Sequence, residues 1–184
     1  MPRYQTVTPE QMTSEQRRVF DKIAAGPRGT AQRGPFMAWL PSPALADLAQ
    51  ELGAYCRFKS SLPAKHYEIA ILMVAQHWRA QYEWYAHAQL ALKAGIDPSI
   101  VEAIHRGETP KAMSPEEAAI LGFAKELLQT QRVSEPTFER ARKLLGQNGV
   151  VDLIGIMGYY GLVSMTLNAF EVPMPPGEPA PFKD

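Results

Sequence analysis

The sequence of 184 residues suits a single domain, and 46% hydrophobic with 21% charged residues is typical of an ordinary soluble globule. Lysine plus arginine and aspartate plus glutamate both number 19, so the formal net charge is zero. A general electrostatic attraction to nucleic acid or to an anionic membrane surface is therefore not expected. The single cysteine, Cys56, excludes an internal disulfide, a dithiol redox pair within the chain and a cysteine-rich zinc site. The first residues contain no apolar run of the signal-peptide type, and we expect a cytoplasmic protein.

Glycine and proline lie between the long apolar segments, and the alternation typical of strands is almost absent, so the sequence predicts an all-α fold. A capping box at Thr13–Gln16 begins a first helix that ends near Ala25. The glycine- and proline-rich residues 26–35 are interpreted as a plain turn, because no strand precedes them and no Lys-Ser/Thr pair follows them. We expect one domain over residues 1–184, with an N-terminal helix and loop extension at about 1–43.

The central and C-terminal segments predict seven more helices, most of them bounded by a hydroxyl or aspartate cap, an early proline or a terminal glycine. The run 69–75 is apolar all round, which is typical of a helix buried on every side. The predicted helices cover about residues 44–58, 64–78, 81–95, 98–107, 115–131, 134–145 and 150–170.

The last of these helices is long enough to cross a membrane, but it contains Asp152, Asn168 and three glycines spaced three residues apart. These residues favour a core or subunit-interface helix, with the glycines letting a neighbouring backbone come close. The proline-rich tail, about 173–184, predicts an extended arm that is free or lies on a partner subunit.

The segment 77–87 holds the densest cluster of reactive and aromatic side chains. Glu83 and His87 are four residues apart and therefore lie on one helix face, where the carboxylate can fix the imidazole tautomer and raise its pKa. Glu68 precedes the apolar run, and burial would require it to be paired or neutralised. From spacing alone, a surface pair for Glu83 and His87 and a solvated helix end for Glu68 remain alternatives.

The pattern Glu68, eleven residues, Ala80-Gln81-Tyr82-Glu83, three residues, His87 resembles the active-site pattern of the carboxymuconolactone decarboxylase and alkylhydroperoxidase D superfamily. The similarity extends over about residues 44–176. It implies a multi-helix alkylhydroperoxidase D-like fold and an intertwined homo-oligomer, either dimer, trimer or hexamer.

The same resemblance implies that Glu68 and His87 take the places of the family's relay glutamate and histidine. Ala80 and Glu83 stand where the peroxidase branch has its two cysteines, and Tyr82 stands at the intervening histidine. A thiol peroxidase needs a thiolate and usually a resolving thiol. Since Cys56 lies upstream in another predicted helix, peroxidase activity is disfavoured.

The resemblance and the residues together predict a cofactor-independent, decarboxylase-like lyase that acts on a small carboxylated lactone or keto acid. The predicted catalytic residues are Glu68, Glu83 and His87, with His87 as the proton donor. Tyr82 and Trp84 are expected to shield the site and bind substrate, and Arg57 and Arg79 to hold a substrate carboxylate.

Two other readings stay open: an isomerase or lactone hydrolase on the same residues, and a non-catalytic protein that binds a small acid. No cofactor is predicted. Metal binding by Glu68, His77, Glu83 and His87 is chemically feasible, but the spacing matches no known motif, and no metal is predicted. The expected partners are the small carboxylate and other copies of the chain, with neither nucleic acid nor membrane.

Overall fold

The computed structural model describes residues 3–4 and 7–183, and over these residues all regular structure is helical. A short 3-10 turn at Pro9–Gln11 precedes eight α-helices. The helices are α1 Ser14–Ala25, α2 Phe36–Trp39, α3 Pro43–Phe58, α4 Ala64–His77, α5 Gln81–Lys93, α6 Pro98–His105, α7 Pro115–Thr130 and α8 Glu135–Ala169. The all-α prediction is confirmed.

Local capping explains where the helices begin. The Thr13 side chain accepts a hydrogen bond from the Gln16 backbone, and the Gln16 side chain accepts one from the Thr13 backbone, which completes the predicted capping box. The last two predicted helices are joined in α8, with one non-helical residue at Gly146. Its φ of 75° is accessible to glycine without a Cβ clash, so the chain can break direction there and resume the helix at once.

Helix α4 is the centre of the core and packs against α5, α6, α7 and α8. Residues 69–72 have no exposed surface, as the all-round apolar run predicted. The indole of Trp39 donates to the Thr166 hydroxyl at 2.9 Å and so ties α2 to α8. The segment before α3 is therefore part of the folded body.

Helix α8 is long and apolar enough to cross a membrane by composition, but 61% of its most apolar window is buried by the rest of the fold. It is a core helix. No other segment of the same chain comes close to Gly155, Gly158 or Gly161, because a Cβ at each would meet no atom of the described residues within 4 Å.

The C-terminal arm returns to its own chain. The Gln81 side chain makes two hydrogen bonds to the Phe182 backbone: it donates to the carbonyl and accepts from the amide, both at 2.8 Å. The Phe182 side chain is buried against Trp84 and His105. The arm therefore neither extends freely nor needs a partner subunit for its position, because its own apolar anchor is satisfied within the chain.

Candidate active site

The α4–α5 hairpin builds the candidate site. Residues 78–80 connect the two helices, and the Ala80 amide donates to the Ala75 carbonyl at 2.9 Å, which closes the turn tightly. Glu83 lies in the first turn of α5 and His87 one turn later. The reversal of direction brings their shared face against Glu68 of α4.

The imidazole of His87 lies between two carboxylates. Its Nδ1 is 2.7 Å from Glu68 Oε2, and its Nε2 is 3.0 Å from Glu83 Oε1. The exposed fractions are 2% for Glu68, 4% for Glu83 and 5% for His87. Because all three side chains are buried, Glu83 and His87 do not form a surface pair, and Glu68 does not lie at a solvated helix end.

Opposing effects set the pKa of His87. Burial by itself would lower the pKa, because a cation is poorly solvated in the interior. The negative charges of Glu68 and Glu83, and the hydrogen bonds to them, outweigh burial and raise the pKa of His87 to about 9. At neutral pH the ring is therefore an imidazolium that donates one N–H to each carboxylate, and it carries a transferable proton.

A cavity of about 300 Å³ opens onto Glu83 and His87 but not onto Glu68. The aromatic ring of Tyr160 packs edge-on against the His87 ring, with centroids 4.9 Å apart. Burial holds the pKa of the Tyr160 phenol well above its usual range, so its hydroxyl stays neutral. Glu68 therefore acts on the cavity only through His87.

Two predicted substrate-binding residues line this cavity: Tyr82 of α5 and Arg57 of α3. Tyr82 is adjacent to Glu83 and reaches toward the N-terminal loop, where Gly34 is also a lining residue. Both side chains therefore lie where a molecule in the cavity would contact them.

Trp84 and Arg79 do not line the cavity, contrary to the prediction. The Trp84 ring packs against His105 and Phe182, with centroids 4.9 and 5.4 Å away. The Arg79 guanidinium lies 5.4 Å from the centre of the Phe182 ring and donates to the Lys183 carbonyl. The Trp84 ring is thus taken up by contacts with α6 and the C-terminal arm. Both residues hold the C-terminal arm instead.

Cavity residues that the sequence did not indicate come from the N-terminal loop, from α2 and from α8. Arg28 and Arg33 line the cavity from the loop, Phe36 from α2, and Tyr159 and Tyr160 from α8. The loop was interpreted as a plain turn, and its two arginines were the only available signal. No spacing rule links them to His87, because the contact depends on how distant segments pack.

Cys56 is remote from this chemistry. It is buried and does not line the cavity. Burial, with the charge of Asp152, raises the pKa of its thiol to about 11. A protonated, enclosed thiol is a poor nucleophile, so its environment argues further against a one-cysteine peroxidase.

The structure does not bring the four candidate metal ligands together. His77 is exposed at the end of α4 and packs against Trp78, away from the Glu68–His87–Glu83 group. Within residues 3–4 and 7–183, no group of three or more His, Cys, Asp or Glu side chains has an arrangement suited to a metal ion.

Fold and site together define an all-helical protein with a buried carboxylate–imidazole–carboxylate centre. Its fold is similar to that of an alkylhydroperoxidase AhpD core protein from Ralstonia eutropha JMP134, an uncharacterised peroxidase-related protein. The TM-score is 0.78 at 15% identity, over 95% of this chain and 93% of that one. It is also similar to a protein of unknown function from Agrobacterium tumefaciens whose name refers to AhpD and antioxidant defence, with a TM-score of 0.67 at 14% identity over 78% and 99% of the chains.

The family model of the carboxymuconolactone decarboxylase family matches residues 43–126, which include Glu68, Glu83 and His87. Residues 43–126 are therefore similar to the carboxymuconolactone decarboxylase family, and the fold of the chain is similar to that of AhpD-like proteins. A comparison with curated proteins finds no significant match.

Proposed function

We propose that the protein is a cofactor-independent, decarboxylase-like lyase that acts on a small carboxylated lactone or keto acid. The observation that carries the proposal is the His87 imidazole, held between the carboxylates of Glu68 and Glu83 at the wall of the cavity. In this arrangement the buried His87 ring can donate one proton to a molecule bound in the cavity.

The proposed reaction needs one proton. When a carboxylate leaves as CO₂, the electron pair of the broken carbon–carbon bond passes into a neighbouring carbonyl and forms an enolate-like species. The carbon then takes a proton from His87 Nε2, which leaves a neutral imidazole, and solvent restores that proton. Glu68 holds Nδ1 and stabilises the charged ring, while Glu83 orients Nε2.

Two other functions fit the same centre. An isomerase or lactone hydrolase would use the same proton without releasing CO₂. The mutual hydrogen bonding of Glu68, His87 and Glu83 also supports a non-catalytic small-acid binder, because a fully paired buried network can be purely structural. The lyase, the isomerase or hydrolase and the binder would share the same cavity lining, so analysis of the products distinguishes them.

The test is a panel of small carboxylated lactones and keto acids, with CO₂ release and ultraviolet absorbance measured for each. His87→Gln should lower turnover about 10²–10⁴-fold while the protein remains folded. His66→Gln is the matched control, because His66 lies outside the cavity lining.

Unchanged turnover in His87→Gln would contradict the proposal. An isomerised or hydrolysed product without CO₂ would favour the other enzymes, and saturable binding without any product would favour the binder. Peroxide consumption lost specifically in Cys56→Ser would instead support a one-cysteine peroxidase.

We also propose that the protein is cytoplasmic and associates with copies of itself. Exposed apolar side chains on α3 and α8 support self-association, notably Leu48, which is 68% exposed, and Val151, which is 58% exposed. Leu45, Leu52 and Ile154 are also exposed. Covering such faces is favourable because it removes apolar surface from water.

A further inference from the structure

We propose that Arg28 and Arg57 form a two-guanidinium clamp for the carboxylate of the bound molecule, and that the loop 26–35 is therefore a specificity element. This inference rests on the proposed function for the identity of the ligand as a small carboxylate. It assigns a role to a segment outside the family-matched residues 43–126.

Both arginines carry an unsatisfied buried donor. Arg28 Nη2 and Arg57 Nε are inaccessible to water and have no hydrogen-bond partner among residues 3–4 and 7–183. Both residues line the same cavity as Glu83 and His87. Buried donors are normally satisfied, so these two guanidinium groups at one cavity keep hydrogen-bonding capacity that a ligand can use when the side chains turn toward it. A carboxylate matches the planar donor geometry of guanidinium groups.

The surrounding residues hold Arg28 in place. Its Nη1 donates to the Gln50 carbonyl at 3.2 Å, and its guanidinium lies 5.2 Å from the centre of the Phe36 ring. Gly53 leaves the required space, because a Cβ there would overlap Arg28 Nη2 and the Tyr159 hydroxyl. The position of the guanidinium is thus built by α3, the loop and α8 together.

The charge of the cavity favours an anion. None of the ion pairs formed by the described residues includes Arg28, Arg33 or Arg57. The two site carboxylates, in contrast, share the His87 cation. The lining is therefore net positive, and the positive charge lies on the side of the loop and α3.

The size and the walls narrow the ligand class further. A volume of about 300 Å³ lies at the lower end of the range of small-molecule pockets, about 300–1,000 Å³, which favours a small ligand. Phe36, Tyr159 and Tyr160 supply aromatic walls. The expected ligand is a small unsaturated or aromatic-derived carboxylate, with its carboxylate on the arginines and its body near His87.

The test uses benzoate as a probe of this chemistry and benzamide as its neutral counterpart, with binding measured by calorimetry and NMR titration. Arg28→Met and Arg57→Met should each weaken benzoate binding about 10- to 100-fold. Arg28→Lys, which keeps the charge but loses the planar fork, should recover only part of the affinity. Arg79→Met is the matched control, because that arginine holds the C-terminal arm, and it should bind benzoate normally.

Equal binding of benzoate and benzamide by the native protein would overturn the clamp, as would no benzoate binding at all. Benzoate affinity unchanged in both folded Met variants would also overturn it, with folding checked by circular dichroism. Because benzoate binding does not require turnover, the result separates the two proposals. Arginine-dependent binding without any lyase activity would leave the clamp standing and reject the lyase, whereas turnover with an unchanged KM in Arg28→Met would reject the clamp alone.

Discussion

Two regions of this molecule that bury carboxylates do so in different ways. In the Glu68–His87–Glu83 centre, two carboxylates share one imidazole. In the Asp152 cluster, formed by Asp152 with Tyr55 and Ser61, one carboxylate accepts only from neutral donors. Its Oδ1 accepts from the Tyr55 hydroxyl at 2.7 Å, and its Oδ2 accepts from the Ser61 amide and hydroxyl at 2.7 and 2.6 Å.

The two regions differ in the groups that donate hydrogen bonds to the carboxylates. Burial tends to raise the pKa of Asp152, but the hydrogen bonds from Ser61 and Tyr55 outweigh it and hold the pKa below its usual range. None of its neutral donors titrates near neutral pH, so the cluster stays charged and fastens α8 to α3 and the following turn. His87, by contrast, is an acid facing a cavity. Burial of a carboxylate therefore does not indicate function unless a titratable partner and access accompany it.

The largest expected effect separates the two regions by activity. Glu68→Gln removes one of the two charges that hold the His87 proton, so the pKa of His87 should fall and turnover near neutral pH should drop about 10²-fold. Asp152→Asn should leave turnover within a factor of about two. The measurement is kcat for both variants with a substrate from the panel. An equal loss of kcat in the two variants, both folded, would contradict a catalytic role that belongs to the Glu68–His87–Glu83 centre alone.

The second expected effect is on the free energy of unfolding, and it concerns the Asp152 cluster. Asp152→Ala removes the acceptor for Tyr55 and Ser61 and should lower the free energy of unfolding by about 1.5–3 kcal/mol. Urea unfolding followed by circular dichroism measures this change. Ser99→Ala, which removes an exposed hydroxyl near the start of α6, is a control that should change the free energy little. A neutral result for Asp152→Ala would mean that the cluster does not fasten the helices.

The third prediction concerns the direction of pH dependence. The folded pKa of His87, about 9, lies above the unfolded value of about 6.5. Its contribution to stability is therefore fully present below about pH 6.5 and is lost as the pH rises through about 9. The folded pKa of Asp152 is lowered, so its contribution is present above the unfolded pKa and is lost as the pH falls.

Free energies of unfolding measured against pH for the native protein, His87→Gln and Asp152→Asn would show these two trends. The difference between the native protein and His87→Gln should shrink in alkali, and the difference for Asp152→Asn should shrink in acid. Parallel curves for the two variants would contradict the assigned charge states.

The smallest expected effect concerns the surface beside the Asp152 cluster. Tyr55 is both a donor to Asp152 and one of the exposed apolar residues of α3, with Leu48 two turns earlier. If copies associate through this face, Leu48→Glu should weaken association, because it buries a charge without a partner. Sedimentation should then show a smaller species. Leu92→Glu, on α5 and similarly apolar in the native protein, is the control, and an equal effect there would reject the α3 face.

Much of the fold was predictable from local signals. The capping box at Thr13, the proline starts and the glycine ends placed most helix boundaries to within a few residues. The all-apolar run of α4 predicted the central helix correctly, because no face of such a helix can remain in water. The exceptions are the short helix α2, which was not predicted, Gly146, where the chain resumes a helix, and the arm, whose anchor Phe182 packs on residues far away in sequence.

For the site, the sequence by itself determined the Glu83–His87 pair, because helical spacing places residues four apart on one face whatever the rest of the chain does. It also determined that no pair of cysteines could act. Only the tertiary structure decided that Glu68 meets the other imidazole nitrogen, that Arg28 and the α8 tyrosines line the cavity, and that Trp84 and Arg79 face the arm. The physical reason is that backbone geometry sets neighbours within a helix, whereas contacts between distant segments depend on how whole faces pack.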